Sequence, residues 1–230
     1  MSSRVSVVIP AYNEEQGISA VLGAIPPGLV DEVVVVDNGS TDRTAERAAR
    51  MGARVVTEAR RGYGRACLAG IAALDRPGIV VFLDADHSDH PEEMGSLVEP
   101  LLDGRADFVI GSRTTGRRER GALLPQARFG NWLATGLIRI LYHARYTDLG
   151  PFRAIDHSIL QDMNMQDETF GWTVEMQVKA ARQHLRVLEV PVSYRRRVGE
   201  SKITGTMMGT LRAGYWILLT IFKYRLSCAF

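Results

Sequence analysis

Short runs of β-branched residues recur in the first half of the chain, and they constrain its fold more than any other feature. The clearest are residues 5–9 (VSVVI), 33–36 (VVVV) and 79–83 (IVVFL). Runs so short and so apolar are typical of strands buried on both faces of a parallel sheet. Helical segments separate them, which indicates right-handed crossover connections and a doubly wound α/β sheet.

Weaker patterns predict the remaining elements. Further strands are expected at residues 55–56, 108–111 and 187–192, and a loop at 149–153. Helices are expected, in chain order, at residues 13–22, 42–50, 65–74, 129–142 and 172–183. No repeat or linker interrupts the 230 residues, so we expect a single domain.

Polar residues follow the three clearest strands at the points where they end. Residues 10–14 (PAYNE) follow the first run, 37–40 (DNGS) the second and 84–86 (DAD) the third. The carboxyl ends of parallel strands share one edge of a sheet, and ligands gather there. We therefore expect these segments to form one active site.

The DAD segment predicts a metal site. Asp84 and Asp86 are spaced so that one or both carboxylates can face a divalent cation beside bound phosphates, and Mg²⁺ or Mn²⁺ suits such oxygen ligands. The cation would neutralise a departing diphosphate. The alternative is a pair of turn aspartates that cap a helix near Pro91. The first interpretation predicts a metal-dependent transferase that acts on a nucleotide-activated substrate.

Charge and cysteine content exclude several other classes. The chain has 28 Lys and Arg against 26 Asp and Glu, and a net charge of +2 gives no case for general nucleic-acid binding. Its two cysteines, Cys67 and Cys228, form no motif that predicts a disulfide framework or a zinc site. The first residues resemble no signal peptide, which favours a cytoplasmic location.

Five successive motifs resemble glycosyltransferase family 2: VSVVIPAYNEE, VVVVDNGSTDRT, RGYGRACLAGI, VVFLDADHSDHPEE and FVIGSR. The resemblance implies the GT-A fold, a Rossmann-like, mostly parallel sheet flanked by helices, in an inverting enzyme. The later TDLGPFR and RRVGESK resemble the polyprenyl-phosphate mannosyl- and glucosyltransferases. They imply transfer of a hexose from a nucleotide diphosphate sugar, of the GDP-mannose or UDP-glucose type, to a polyprenyl phosphate.

The resemblance implies roles for residues around the donor nucleoside. Pro10, Tyr12 and Glu14 match residues that hold the nucleoside, with Tyr12 offering a ring face and Glu14 an acceptor carboxylate. Packing within its own loop is the alternative for Tyr12. Asp37 matches the acidic residue after the second strand. The family usually has a second aspartate next, whereas this chain has Asn38, which leaves the base open.

The diphosphate and the metal have their own set of implied contacts. Gly62 and Gly64 would allow close backbone approach to the donor, and Arg65 would meet a phosphate. Asp84 would approach the sugar or ribose. The donor and metal contacts implied in and just after the DAD segment are, in chain order, Asp84, Ala85, Asp86 and Ser88.

Basic residues of the second half are the candidate acceptor contacts. Arg113, Arg153, Arg196 and Lys202 would bind an acceptor phosphate, and Arg113 is also a catalytic candidate because it could close over the diphosphate. Solvated surface is the alternative for each. On this interpretation residues 1–112 serve the donor and the metal, 113–202 serve the acceptor, and 203–230 form a C-terminal helix.

The acceptor decides whether a general base is needed. A polyprenyl phosphate is already an anionic nucleophile, so its attack depends on positioning and charge control. A hydroxyl acceptor needs a base, for which Asp148 is the first candidate and Glu175 the second. Loop or helix capping is the alternative for Asp148.

The C-terminal segment suggests where the protein works. The apolar run 213–222 (AGYWILLTIF) is too short to span a bilayer, for which a helix needs roughly 20 residues. Its aromatic residues and neighbouring cations are typical of an interfacial helix. We expect peripheral contact at the inner face of the cell membrane. Docking on the domain, or packing against a second protomer in a homodimer, is the alternative.

Three other functions are compatible with parts of the sequence. The same donor chemistry could serve a soluble hydroxyl acceptor, such as a saccharide or a small molecule. A nucleotidyltransferase also combines a doubly wound sheet with acidic metal ligands, although it would ordinarily have a glycine-rich basic signature where this chain has PAYNEE. A non-catalytic protein that binds sugar nucleotides is the fourth interpretation.

Overall fold

A computed structural model of the chain describes residues 3–199 and 207–226. Within them, one sheet has the strands β1 (Val5–Ala11), β2 (Glu32–Asp37), β3 (Arg54–Thr57), β4 (Ile79–Phe82), β5 (Phe108–Ser112), β6 (Arg153–Asp156) and β7 (Val187–Pro191). The helices are α1 (Ile18–Ala24), α2 (Thr44–Arg50), α3 (Tyr63–Ala73), α4 (Met94–Leu102), α5 (Pro125–Tyr142), α6 (His157–Met163), α7 (Trp172–Arg182) and α8 (Met207–Leu226). A 3₁₀ turn, Pro91–Glu93, precedes α4.

The sheet is mostly parallel, in the order β3-β2-β1-β4-β6-β5-β7. Strand β6 pairs antiparallel with both of its neighbours, β4 and β5, whereas the other described pairs are parallel. The strands of the first half therefore form the doubly wound sheet that their apolar runs predict. The second half extends the same sheet through one reversed strand.

Alternating side chains of the buried strands feed two apolar layers. Val8, Val36 and Phe82 pack on one face with residues of α3, α5, α7 and α8. Val7, Val35 and Val81 pack on the other face with residues of α1, α2 and α4. Burial on both faces is the physical reason that these strands are almost entirely apolar.

Several predicted boundaries shift in the structure. Helix α1 begins at Ile18 rather than at residue 13, because Asn13 adopts a positive φ of 51° that a helix does not accommodate. Arg153, expected in a loop, is the first residue of β6. Helix α6 was not predicted, and a helix near Pro91, where α4 follows the 3₁₀ turn, was expected only under the alternative interpretation of the two aspartates. The strands β1, β2 and β4 lie side by side, and Ala11 is in register with Asp37, so the three polar segments do meet at one edge.

The long helices α5 and α8 contact each other on one side of the sheet. The Tyr142 hydroxyl donates to the Ile221 carbonyl and ties the two helices together. Within residues 3–199 and 207–226, no helix combines the length and hydropathy needed to cross a bilayer.

Candidate active site

A pocket of about 350 Å³ opens at the carboxyl ends of β1, β2 and β4. Eight of the residues predicted to bind the donor or the metal line it: Pro10, Tyr12, Glu14, Asn38, Gly62, Asp84, Ala85 and Asp86. The structure therefore brings together segments that lie more than seventy positions apart in the sequence. Other lining residues were not predicted: Arg61, Tyr63, Thr169, Phe170, Arg197 and Trp216.

Three predicted donor residues do not line the pocket but support the segments around it. Asp37 accepts a hydrogen bond from the Ser40 amide at 3.1 Å and closes the turn after β2. Arg65 forms an ion pair with Glu168. A Cβ on Gly64 would collide with the carbonyl oxygen of Asp167, so only glycine lets this loop approach α3. The same loop carries Thr169 and Phe170 into the pocket.

Asn38 is held in place by the backbone of the loop after β3. Its amide nitrogen donates to the carbonyls of Glu58 (2.9 Å) and Arg60 (2.8 Å), and its amide oxygen accepts from the Gly62 N–H (2.8 Å). These bonds use the amide that would otherwise be available to read a base. Asn38 therefore organises the approach of Gly62 to the pocket.

Tyr12 is stacked against a cation. The guanidinium carbon of Arg61 lies 3.0 Å from the centroid of the Tyr12 ring, which covers one ring face. A nucleobase that used this face would have to replace Arg61. Arg61 belongs to the RGYG motif but has an exposed side chain, so periodicity alone gave no reason to single it out.

Asp84 is protonated more readily than an ordinary aspartate. Burial, and secondarily the negative charge of Asp86, raise the pKa of Asp84 to about 7, while a hydrogen bond from the Tyr63 hydroxyl (3.1 Å) opposes the shift. Added positive charge nearby would favour its ionised form.

Asp86 has one oriented oxygen and one oxygen that faces a cation. Its Oδ1 accepts from the Ser88 amide at 2.9 Å and from the Ser88 hydroxyl at 2.5 Å. Its Oδ2 lies 3.2 Å from Nη1 of Arg197. The hydroxyl of Ser88, predicted beside the metal, is thus fully buried and bonded to Asp86, so Ser88 fixes the carboxylate that a metal would meet.

The carboxylates of the pocket fit a cation that takes some of its ligands from the protein and the rest from a bound substrate. Among the described residues, no three His, Cys, Asp or Glu side chains cluster as a complete metal cage. Asp86 is buried, points into the pocket and already holds one positive group. Mg²⁺ characteristically uses one or two carboxylates and takes its other ligands from water and substrate phosphates. Asp86, with Asp84 beside it, matches that pattern.

A third carboxylate, Asp89, lies beneath the motif without a role suggested by the sequence. It is 1% exposed, and neither of its carboxylate oxygens has a hydrogen-bond partner among the described residues. Burial, and then the charges of Asp84 and Asp86, raise its pKa well above the usual range. Its proximity to Arg113 opposes that shift.

Arg113 and Asp148 form a buried, two-pronged ion pair. Arg113 Nε donates to Asp148 Oδ2 at 2.8 Å and Nη2 donates to Oδ1 at 2.7 Å, and the Arg113 amide also donates to Oδ2 at 2.8 Å. Burial alone would raise the pKa of Asp148, but the guanidinium and these hydrogen bonds hold it below its usual value. This geometry differs from that expected of a general base, because both carboxylate oxygens are occupied and the charge is stabilised.

The structure places the other predicted acceptor residues away from the pocket. Arg153 is fully buried and donates to the carbonyls of Leu149, Gly150 and Thr173, so it supports the backbone and presents nothing to an acceptor phosphate. Glu175 is equally buried and pairs with Lys179 at 2.8 Å. It also accepts from two backbone amides and the Tyr224 hydroxyl, which leaves it unsuited to act as a base.

Arg196 and Lys202 are the remaining predicted acceptor contacts. Arg196 lies in the loop after β7, and its guanidinium donates to the Arg120 carbonyl at 2.7 and 2.9 Å. It therefore joins two basic loops. Lys202 lies outside the described residues.

Comparison with known proteins gives one consistent result. The family model described as "Glycosyl transferase family 2" matches residues 6–163. An uncharacterized glycosyltransferase of Mycobacterium tuberculosis is 40% identical over 220 residues, or 94% of this chain and 98% of the relative. A dolichyl-phosphate hexose transferase of Haloferax volcanii is 38% identical over 202 residues, or 86% of each chain.

A solved structure is similar over nearly the whole chain. Glucosyl-3-phosphoglycerate synthase from Mycobacterium tuberculosis, in complex with Mn²⁺, UDP-glucose and phosphoglyceric acid, superposes with a TM-score of 0.78 at 27% identity. The similarity covers 97% of this chain and 80% of the synthase. It confirms the GT-A architecture that the motifs imply.

The Arg113–Asp148 pair yields a stability prediction. Arg113→Ala should lower the free energy of unfolding by about 3–5 kcal/mol, because it leaves a buried carboxylate without its counter-charge. Adding Asp148→Asn should recover part of that loss. Urea unfolding of the two single variants and the double variant measures the coupling between Arg113 and Asp148. If the losses in the free energy of unfolding of the two single variants simply added in the double variant, the prediction would be wrong.

The pair also has a defined pH dependence. The pKa of Asp148 is lower in the folded protein than the ordinary 3.8, so its stabilisation is present above that value and is lost as pH falls through the lowered one. Asp148→Asn should remove that part of the acid sensitivity.

Proposed function

The chain belongs to glycosyltransferase family 2, and on that premise we propose that it transfers a hexose from a nucleotide diphosphate sugar to a polyprenyl phosphate, with inversion. Membership of this family makes the chain a glycosyltransferase. It sets aside the nucleotidyltransferase and the non-catalytic interpretations.

The proposed donor site is the pocket at the ends of β1, β2 and β4. Tyr12 and Glu14 would hold the nucleoside, and Asp84 would approach the sugar or the ribose. Mg²⁺ or Mn²⁺ held by Asp86 would neutralise the departing diphosphate. The Mn²⁺ and UDP-glucose of the similar synthase support this arrangement. GDP-mannose is the other candidate donor, because the Asn38 amide is bonded to the loop after β3 and leaves the base open.

The position of helix α8 and the residues that it exposes favour a lipid acceptor. One of its residues, Trp216, lines the donor pocket. Its outward face exposes large apolar side chains, namely Tyr215, Leu219, Phe222 and Leu226. An apolar surface on the same helix that lines the donor pocket is suited to a substrate whose phosphate enters the site while its chain stays in a membrane.

Helix α5 extends that surface. Its outward face exposes Phe129, Trp132 and Ile140, which are 62%, 68% and 70% accessible. Neither α5 nor α8 contains an acidic residue, whereas Arg128, Arg139, Lys223 and Arg225 accompany the apolar side chains. Exposed aromatic residues among cations favour the interface of an anionic bilayer. We propose peripheral contact with the inner face of the cell membrane through this α5–α8 surface.

Both candidate bases are occupied by ion pairs, which favours an acceptor that is already ionised and needs no base. Asp148 is held by Arg113, and Glu175 by Lys179 and its hydrogen bonds. A phosphate oxygen can attack the anomeric carbon without transferring a proton to either residue. Arg196 and Lys202 stay the proposed contacts for that phosphate, while Arg113, whose guanidinium carbon lies 5.1 Å from the centroid of the Tyr194 ring, would help to position the loop that carries Arg196.

A soluble acceptor is the second candidate function. The similar synthase was solved with phosphoglyceric acid, whereas the relative from Haloferax volcanii is named for a dolichyl-phosphate acceptor. The two candidates share the donor chemistry and differ in the product.

A transfer assay separates the two candidates. We expect the purified protein, incubated with labelled GDP-mannose or UDP-glucose, polyprenyl phosphate and Mg²⁺ or Mn²⁺, to form an organic-extractable glycolipid. Asp86→Ala should lower the rate at least about a hundredfold, since a Lewis acid contributes several kcal/mol. Asp103→Ala, at an exposed position on α4's C-terminal side, is the matched control. In a parallel reaction, phosphoglyceric acid replaces the polyprenyl phosphate. A water-soluble product from that reaction, without glycolipid from either donor in the first, would favour the second candidate.

Membrane contact has a separate test. Replacing both Phe129 and Trp132 with serine should weaken binding to anionic vesicles by at least about tenfold, because the large apolar side chains no longer leave water. Leu102→Ser, at an exposed leucine outside the α5–α8 surface, should leave binding unchanged. Flotation with vesicles of phosphatidylglycerol and phosphatidylcholine measures the binding of both variants. If the surface joins two protomers instead, the double variant would change the mass in solution and not the flotation.

A further inference from the structure

We propose that Arg197 is an internal counterion of Asp86. In the absence of ligand its guanidinium pairs with Asp86 and opposes the binding of a divalent metal alone. Once the donor arrives, the guanidinium pairs with the donor diphosphate instead. The inference deepens the proposed function and rests on it for the identity of the donor. It concerns a residue that neither the strand pattern nor the DAD motif brought forward.

The guanidinium of Arg197 bridges two carboxylates of the pocket. Its Nη2 lies 2.6 Å from Glu14 Oε1, and its Nη1 lies 3.2 Å from Asp86 Oδ2. Oδ2 is the Asp86 oxygen that Ser88 leaves available. Arg197 thus neutralises the one oxygen of Asp86 on which a metal would depend.

The backbone around Arg197 is fixed across the DAD motif. The Arg195 amide donates to the Ser88 carbonyl and the Val198 amide to the Asp86 carbonyl, both at 2.9 Å. The side chain between them is 27% exposed and lines the pocket. Its guanidinium can therefore turn from Asp86 towards a ligand in the pocket while its backbone stays paired.

Repulsion between cations gives the order of events. Without a ligand, Asp86 Oδ2 faces the guanidinium of Arg197. A dication alone would place a second cation against that oxygen, and the repulsion between the two is unfavourable at such short range. The two negative charges of a nucleotide diphosphate sugar offset that repulsion and give the displaced guanidinium a phosphate partner. Metal and donor should therefore bind cooperatively.

The test is to measure Mn²⁺ binding from the paramagnetic resonance signal of free Mn²⁺, with and without uridine or guanosine diphosphate. In Arg197→Met, we expect Mn²⁺ alone to bind about tenfold more tightly, the order of effect of removing one nearby charge from a partly solvated site. The nucleoside diphosphate, measured with Mn²⁺ present, should bind about tenfold more weakly because a phosphate contact is lost.

Two further variants control the measurement. Arg197→Lys keeps the charge and should lie between the wild type and Arg197→Met in both affinities; it also keeps the test available if Arg197→Met does not fold. Arg60→Ala removes an exposed cation that pairs with Glu58 outside the pocket, and it changes the net charge equally. It should leave both affinities unchanged.

The opposite signs of the two effects distinguish the proposal from a scaffolding role. If Arg197 only supported the loop, its replacement would weaken Mn²⁺ and nucleotide binding together, and that result would overturn the proposal. Unchanged Mn²⁺ affinity in Arg197→Met would also overturn it. Failure of the wild type to bind either nucleotide would contradict the proposed donor chemistry, while the measurement with Mn²⁺ alone would still decide whether Arg197 competes for Asp86.

Discussion

Three aspartates crowd the end of the central strand β4, and holding them there is the constraint on which the site depends. Asp86 and Asp89 are 6% and 1% exposed. Asp84 beside them has a pKa raised to about 7, by burial and by the charge of Asp86. Such a cluster persists in a fold only where cations or protons offset its mutual repulsion. The sequence places no lysine or arginine in the motif itself, so the compensation has to come from elsewhere in the chain.

The second half of the fold supplies those cations. Arg113 follows β5 and is fixed by its ion pair with Asp148, and Arg197 follows β7 and reaches Asp86 across the pocket. Both strands join the sheet through the reversed strand β6, whose first residue, Arg153, pins the loop that carries Asp148. The acidic end of β4 and the basic loops of the second half therefore form one electrostatic unit. A ligand that brings both a dication and a diphosphate offers the carboxylates and the guanidiniums of that unit partners of opposite charge.

The sequence predicted the part of this arrangement that is local. Apolar runs gave the strands β1, β2 and β4, and the polar segments at their ends identified half of the residues that line the pocket. The remainder depends on contacts between distant segments. Strand β6 is four residues long and opens with a buried arginine, so no periodicity marks it. Asp148 and Glu175 look like free carboxylates until Arg113 and Lys179 are placed beside them. Arg197 was one of three consecutive arginines, and only the pairing of its loop with residues 86–88 shows which of the three faces the site.

We propose that a divalent metal and the donor diphosphate meet at Asp86, at the shared end of β1, β2 and β4. The most direct test is a crystal structure with Mn²⁺ and a nucleoside diphosphate, with data collected at the manganese absorption edge. We expect an anomalous peak within bonding distance of the Asp86 carboxylate and of a phosphate oxygen, with the nucleoside beside Tyr12. A nucleotide bound in this pocket with manganese absent from Asp86, or a manganese peak at another group of residues, would contradict the claim.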